Sequence, residues 1–184
     1  MTHTMPPLYP VVLSDGLVLR PLREENAQQF FALVTDNRAH FERYDPWFTE
    51  FQQVEDVRRA LAKIQNFFEH GNSLTCGIWD NERLVGYFIC GELHTKAAKT
   101  GYGLAAEYLG RGIIARTGRI VLDYAFSTMG IESAWLNVWT NNEQSIHTAE
   151  RLGFKREPEI LPATPEDGNR MTQYRYILKN PHRI

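Results

Sequence analysis

The stretch from Lys99 to Phe126, KTGYGLAAEYLGRGIIARTGRIVLDYAF, restricts the fold of this 184-residue chain more than any other. An apolar segment passes through a short loop carrying Gly110-Arg111-Gly112 directly into an amphipathic helix. In that helix Ile114, Val121, Leu122 and Ala125 recur at i, i+7, i+8 and i+11. Strand, glycine turn and helix in that order make an anion site. The first amides of a helix have no intrahelical partner, and the helix dipole places roughly half a positive charge there, so a diphosphate can lie against the backbone without a lysine. Gly110 and Gly112 remove the side chains that would stand between amide and phosphate.

Two other readings use the same residues. One is an ordinary strand-to-helix turn. The other is the dinucleotide fingerprint G-x-G-x-x-G/A, which Gly110, Gly112 and Ala115 satisfy. That fingerprint expects an acidic residue about 20 positions on, at the end of the next strand. The next predicted strand, Ile131 to Thr140, runs into Trp139-Thr140-Asn141-Asn142 and offers no carboxylate for a ribose.

Around this centre the hydrophobic periodicity predicts a regular series of elements. Residues 1–14 form an N-terminal arm, followed by a strand at Leu17–Arg20 that Pro21 ends. A helix presents Ala27, Phe30, Phe31 and Val34, and a second presents Val54, Val57, Leu61, Ile64 and Phe68, with Gly71 as its C-terminal cap. Strands at Leu74–Trp79 and Leu84–His94 read as a hairpin turning at Asp80–Glu82, and a third strand runs from Thr100 to Leu104. The central helix stops near Gly130. A strand, a short helix closed by Gly153, a Pro-rich loop from Glu157 to Arg170 and a last strand at Tyr174–Leu178 complete the chain. The order β-α-α-β-β-β-α-β-α-β predicts one α/β domain over residues 1–184, with a mixed central sheet, helices on both faces and a right-handed crossover through the central helix.

Composition narrows the partners. A net charge of −2 without a block of like charge disfavours nucleic acid and a polybasic membrane patch. Cys76 and Cys90 read as buried free thiols, and His3, His40, His70, His94, His147 and His182 show no metal-ligand spacing, so no metal is expected. The start MTHTMPPLYP lacks the basic and apolar regions of a signal peptide, and the expected location is cytoplasmic.

EYLGRGI, followed one helix and one strand later by NNEQSIHTAERLGF, resembles the GNAT superfamily of acyl-CoA-dependent N-acyltransferases, and more narrowly the ribosomal-protein N-terminal acetyltransferases of the RimJ/RimL type. The resemblance extends from about Leu17 to Leu178. It departs from the family's R/Q-x-x-G-x-G/A at its first position, where Glu107 stands. It implies the GNAT fold, acetyl-CoA as cosubstrate, and direct transfer of acetyl to a primary amine in a ternary complex.

The resemblance also implies roles for particular residues. Leu109, Gly110, Arg111, Gly112, Ile113 and Ile114 would hold the diphosphate. Tyr102, Gly103 and Leu104 would receive the pantetheine arm as an added strand, with an amide near Leu104 polarising the thioester carbonyl. The tyrosine that many relatives use as acid falls at Ala149. The serine of Asn-x-x-Ser, Ser145, is the candidate acid instead, with Asn142 binding cofactor or orienting it, although both residues could simply cap the helix. Glu92 and His94, on one face of a predicted strand end, are candidate bases, each with a solvated strand end as the alternative. Tyr44 and Trp47 border the expected acceptor cleft. Acceptors consistent with this reading are a protein N-terminal α-amine, such as that of a ribosomal protein, or a small amine such as an aminoacyl nucleotide, aminoglycoside or polyamine. The absent tyrosine also leaves a non-catalytic acyl-CoA sensor in view, and a homodimer stays open.

Overall fold

A computed structural model describes residues 10–162 and 172–182. Among these, the strands in chain order are β1 (Val11–Val12), β2 (Val18–Pro21), β3 (Ser73–Asp80), β4 (Arg83–Gly91), β5 (Ala97–Leu104), β6 (Ser133–Trp139), β7 (Lys155–Leu161) and β8 (Gln173–Lys179). The helices are α1 (Ala27–Asp36), α2 (Arg38–Glu42), α3 (Val54–Glu69), α4 (Ile113–Ser127) and α5 (Glu143–Leu152). The strands form one eight-stranded sheet in the order β1-β2-β3-β4-β5-β6-β8-β7. Neighbours are antiparallel except β5 and β6, which run parallel.

Helices cover both faces of this mixed sheet, as adjacent residues of β4 demonstrate. Successive side chains of a strand point to opposite faces. Tyr87 meets Phe30 of α1, with ring centroids 5.6 Å apart. Phe88 lies under α4, where a Cβ on Gly118 would come within 2.9 Å of its ring. A glycine inside a helix costs about 1 kcal/mol relative to alanine. Here its bare Cα lets α4 settle between β4 and Leu152 of α5. Burial on both sides also explains why β3 is buried without alternation from Ser73 to Trp79.

Several termini follow from local chemistry. Gly71, at φ +71°, closes α3 in a Schellman arrangement: its N–H donates to the Phe68 carbonyl and that of Asn72 to the Phe67 carbonyl. Gly153, at φ +95°, ends α5. Asn81 takes φ +52° in the β3–β4 turn.

Four expectations need correction. The predicted loop from Glu157 begins inside β7, an exposed edge strand whose side chains give no period-two signal. Pro158 lies where the β7–β8 register shifts between Arg156 and Ile160, a position that tolerates proline. The remainder of that loop, 163–170, lies outside the described residues, as does 1–9 of the predicted arm. The arm's end forms β1, paired with β2. Between the first two predicted helices, where the sequence reading places no element, lies the short helix α2. Finally, β4 stops at Gly91. Glu92 turns to φ +58° and leads a 3₁₀ turn at Leu93–Thr95, so Glu92 and His94 do not share a strand face.

Candidate active site

The parallel pairing of β5 with β6 is brief. Its register runs through Ala97 with Ser133, Ala98 with Ala134 and Lys99 with Trp135, after which Thr100 Oγ1 donates to the Trp135 carbonyl at 3.1 Å. Beyond that tie the two strands part. Residues 100–104 of β5 remain paired with β4, and the Ala105 N–H donates to the Val85 carbonyl at 2.8 Å. Main-chain groups alternate sides along an antiparallel ladder. Gly101, Gly103 and Ala105 therefore point theirs at β4, while Tyr102 and Leu104 point theirs into the opening.

The opening continues into a cleft of about 600 Å³. One end is the glycine loop. Gly112 is the N-cap of α4 at φ +67°, and no side chain caps this helix; its first backbone bond runs from the Arg116 N–H to the Gly112 carbonyl. The amides of Ile113, Ile114 and Ala115 are thus without intrahelical acceptors, and all three residues line the cleft. By contrast, α5 is capped by Asn142 Oδ1, which accepts from the Ser145 N–H at 3.1 Å. A cation reaches the glycine loop from α5: the Arg151 guanidinium lies 3.7 Å from where a Gly112 Cβ would stand. The loop is anchored from the far side by the β3–β4 turn. Tyr108 donates its hydroxyl to Asp80 at 2.7 Å, and Glu107 pairs with Arg83 at 2.6 Å.

Midway along the cleft, β5 and α5 meet. The Tyr102 hydroxyl lies 2.8 Å from Ser145 Oγ and 3.2 Å from the Ser145 carbonyl, and its ring stacks on Phe88 at 5.9 Å. Burial pushes the Tyr102 phenol up to about 12, offset in part by the Ser145 hydrogen bond, so it stays protonated at neutral pH.

The other end is built from side chains. A 3₁₀ turn at Pro46–Glu50 is capped by Asp45, whose carboxylate accepts from the Trp47 N–H at 3.0 Å. Trp139 of β6 donates its indole N–H to the Tyr44 carbonyl, joining this turn to the sheet. Tyr44, Trp47 and Trp139 all line the cleft, and Asp45 is the sole carboxylate among its described lining residues. His40 of α2 also faces the cleft; burial holds its imidazole below the usual value, against a smaller upward effect of the Leu104 carbonyl it bonds.

A strand pair that parts beside an uncapped, glycine-led helix is the arrangement that the resemblance to acyl-CoA-dependent enzymes implies, and a family comparison is decisive. The model of the acetyltransferase (GNAT) domain matches residues 16–155. The chain belongs to the GNAT acetyltransferase family. This acetyltransferase is 25% identical over 182 residues to the uncharacterized N-acetyltransferase YoaA of Bacillus subtilis, covering 95% of this chain and 99% of that protein. It is 30% identical over 154 residues to spermidine N(1)-acetyltransferase of Escherichia coli K12, covering 80% and 77%. Among solved structures, RimL, a ribosomal L7/L12 α-N-protein acetyltransferase in complex with coenzyme A, superposes with a TM-score of 0.84 at 20% identity, covering 93% of this chain and 98% of that one. The enzyme is an acetyl-CoA-dependent N-acetyltransferase with a RimJ/RimL-like fold.

The residues present suit that cosubstrate: main-chain donors at Tyr102 and Leu104, amides without intrahelical acceptors at 113–115 and a guanidinium near Gly112. Of the sequence-predicted site residues, the acetyltransferase brings to one cleft Tyr102, Gly103, Leu104, Leu109, Gly110, Gly112, Ile113, Ile114, Asn142, Ser145, Tyr44 and Trp47. Arg111 is not among them, since its exposed guanidinium stacks over Tyr108 at 5.0 Å. Glu92 is exposed and does not line the cleft. Asn142 spends its carbonyl oxygen on the helix cap, which leaves its amide nitrogen for a ligand. Trp47 packs on Phe30, Phe48 and Phe51, so it serves the core as well as the cleft. Arg151, Trp139 and Asp45 went unread as site residues. Trp139 lies in an apolar strand, where a core position is the default, and nothing in linear order connects Arg151 to Gly112. Among the described residues no helix is long and apolar enough to cross a membrane, and no group of His, Cys, Asp and Glu is arranged for a metal.

Proposed function

We propose that the acceptor is a single α-amino group, of the kind at a protein or peptide N-terminus, and that acetyl passes to it directly within a ternary complex. The observation that carries this reading is the acceptor end of the cleft, with Tyr44, Trp47 and Trp139 around Asp45, the one carboxylate among its described lining residues. One carboxylate suits one ammonium. An α-amine has a pKa of about 8, against about 10.4 for a lysine-type amine, so a fraction is neutral near pH 7 without a strong base. This agrees with a cleft whose described lining offers two imidazoles, His40 and His147, and one carboxylate. Direct transfer is supported by the cysteines: Cys76 and Cys90 are fully buried in β3 and β4 and do not line the cleft, and burial pushes the Cys90 thiol up to about 12.

In this reading the Leu104 N–H donates to the thioester carbonyl as negative charge develops on it. Ser145 gives its proton to the departing thiolate. A polyamine acceptor is the second reading, favoured by the spermidine acetyltransferase relative. Incubating the enzyme and acetyl-CoA with Ser- and Ala-starting peptides, glycinamide and spermidine, with released thiol as readout, separates the two. Peptides turning over at a kcat/KM at least about tenfold above spermidine, a difference of about 1.4 kcal/mol, are expected. Preference for spermidine would overturn the α-amine reading.

A further inference from the structure

Tyr102 carries a half-buried hydroxyl in the cleft whose described partners both belong to the residue assigned as proton donor. A phenylalanine would stack on Phe88 equally well, so packing does not account for the oxygen. Nor does a need to satisfy that oxygen: the Ser145 carbonyl, at 3.2 Å, would suffice, yet the closer contact is to Oγ, at 2.8 Å. Ala149, one turn further along α5 and fully buried, brings no hydroxyl to this point. Phenol from β5 and serine from α5 are what the fold assembles here.

We infer that Tyr102 is a positioning residue for Ser145, donating its phenolic O–H to Oγ so that the serine proton is directed at the sulfur and the charge left on Oγ is held by a hydrogen bond. The inference rests on the proposed acid role of Ser145. The steps balance as follows. The amine lone pair forms the N–C bond, and the C–S bond breaks with its electron pair on sulfur. The Ser145 Oγ proton moves to sulfur, giving the free thiol. The nitrogen loses one N–H proton to solvent, and Oγ regains one from solvent. Tyr102 keeps its own proton throughout, because burial in this site disfavours a phenolate. Its contribution is therefore a donor whose direction is set in advance, which low surrounding polarity makes worth more than it would be in water.

The test is a double-mutant cycle on the full chain, with acetyl-CoA and the fastest acceptor among those peptides, glycinamide and spermidine. Ser145→Ala should lower kcat about a hundredfold, in the range of a lost general acid. Tyr102→Phe should lower kcat about tenfold, with KM for acetyl-CoA and its calorimetric Kd within about twofold of wild type, since it weakens a step rather than a binding contact. In the Ser145→Ala background Tyr102→Phe should cost nothing further. Tyr102→3-fluorotyrosine, nearly the same size and a stronger donor, should retain turnover, which guards against a folding defect in the phenylalanine variant. Equal losses from Tyr102→Phe in both backgrounds would overturn the inference, as would a rise in KM with kcat intact or an unchanged turnover. An inert Ser145→Ala would instead remove the acid role itself, and this inference with it.

Discussion

The two ends of the cleft are built from different materials. At the glycine-loop end, proposed for the cosubstrate, the groups on offer are main chain: the outward-facing amides of Tyr102 and Leu104, and those of residues 113–115 where α4 begins uncapped. At the acceptor end they are side chains, drawn from the Pro46–Glu50 turn, from β6 and from α2. A main-chain donor is present whatever the residue, provided the chain takes the right path and nothing bulky stands in front. Side-chain recognition has no such tolerance. The contrast explains how a chain can depart from the family motif at Glu107, now engaged with Arg83, and keep its cosubstrate site. It also explains why the choice of acceptor must be argued from Asp45 and its aromatic neighbours.

The contrast can be broken at several points. The largest effect is expected from Gly112→Asp. Aspartate tolerates the positive φ better than most residues, but its carboxylate would compete for the free amides and Arg151. Acetyl-CoA affinity should fall on the order of 100-fold by calorimetry, the loss of about two charge-assisted hydrogen bonds. Unchanged affinity would show that the phosphates bind elsewhere. Arg151→Ala removes the cation that reaches Gly112 in the cleft and should weaken acetyl-CoA about tenfold, with a shallower salt dependence than wild type. A loss as large as that of Gly112→Asp would mean that the site depends on side chains after all.

Asp45→Asn keeps an oxygen to cap the turn at Trp47 but removes the charge. It should raise acceptor KM about fivefold and leave acetyl-CoA affinity alone, about the worth of one partly exposed charge contact. If acetyl-CoA binding changed instead, the two ends would not be separable. The smallest effect concerns His40, whose folded-state imidazole is depressed mainly by burial. A depressed histidine leaves the unfolded chain binding more protons, so stability rises with pH through this window and is lost as pH falls below the ordinary 6.5. The melting temperature of wild type should therefore drop faster than that of His40→Gln between about pH 7 and pH 5. Parallel curves would remove His40 from the account.

The cosubstrate end was legible because it is local. A strand, Gly110, Gly112 and an amphipathic helix are contiguous, and the period of Ile114, Val121, Leu122 and Ala125 states which face of α4 is buried. Asn-x-x-Ser, with Gly153-Phe154 beyond it, similarly marked both ends of α5. The edge strand β7 escaped notice because exposed Lys155, Arg156 and Glu159 carry no alternation and Pro158 reads as a breaker. Glu92 misled for a related reason: a strand that ends at Gly91, three residues before His94, turns its next side chain elsewhere.

By itself the sequence determined most of the secondary elements, though not β1, α2 or β7, and the glycine turn that opens α4, since each depends on residues within a few positions of one another. Only tertiary structure decided that the guanidinium of Arg151 rather than that of Arg111 faces the cleft at Gly112, that Trp139 reaches Tyr44, and that Tyr102 reaches Ser145. Those pairings join residues 39, 95 and 43 positions apart. They follow from how far β5 and β6 part and from which face of the sheet each helix covers, and neither is written in any local pattern.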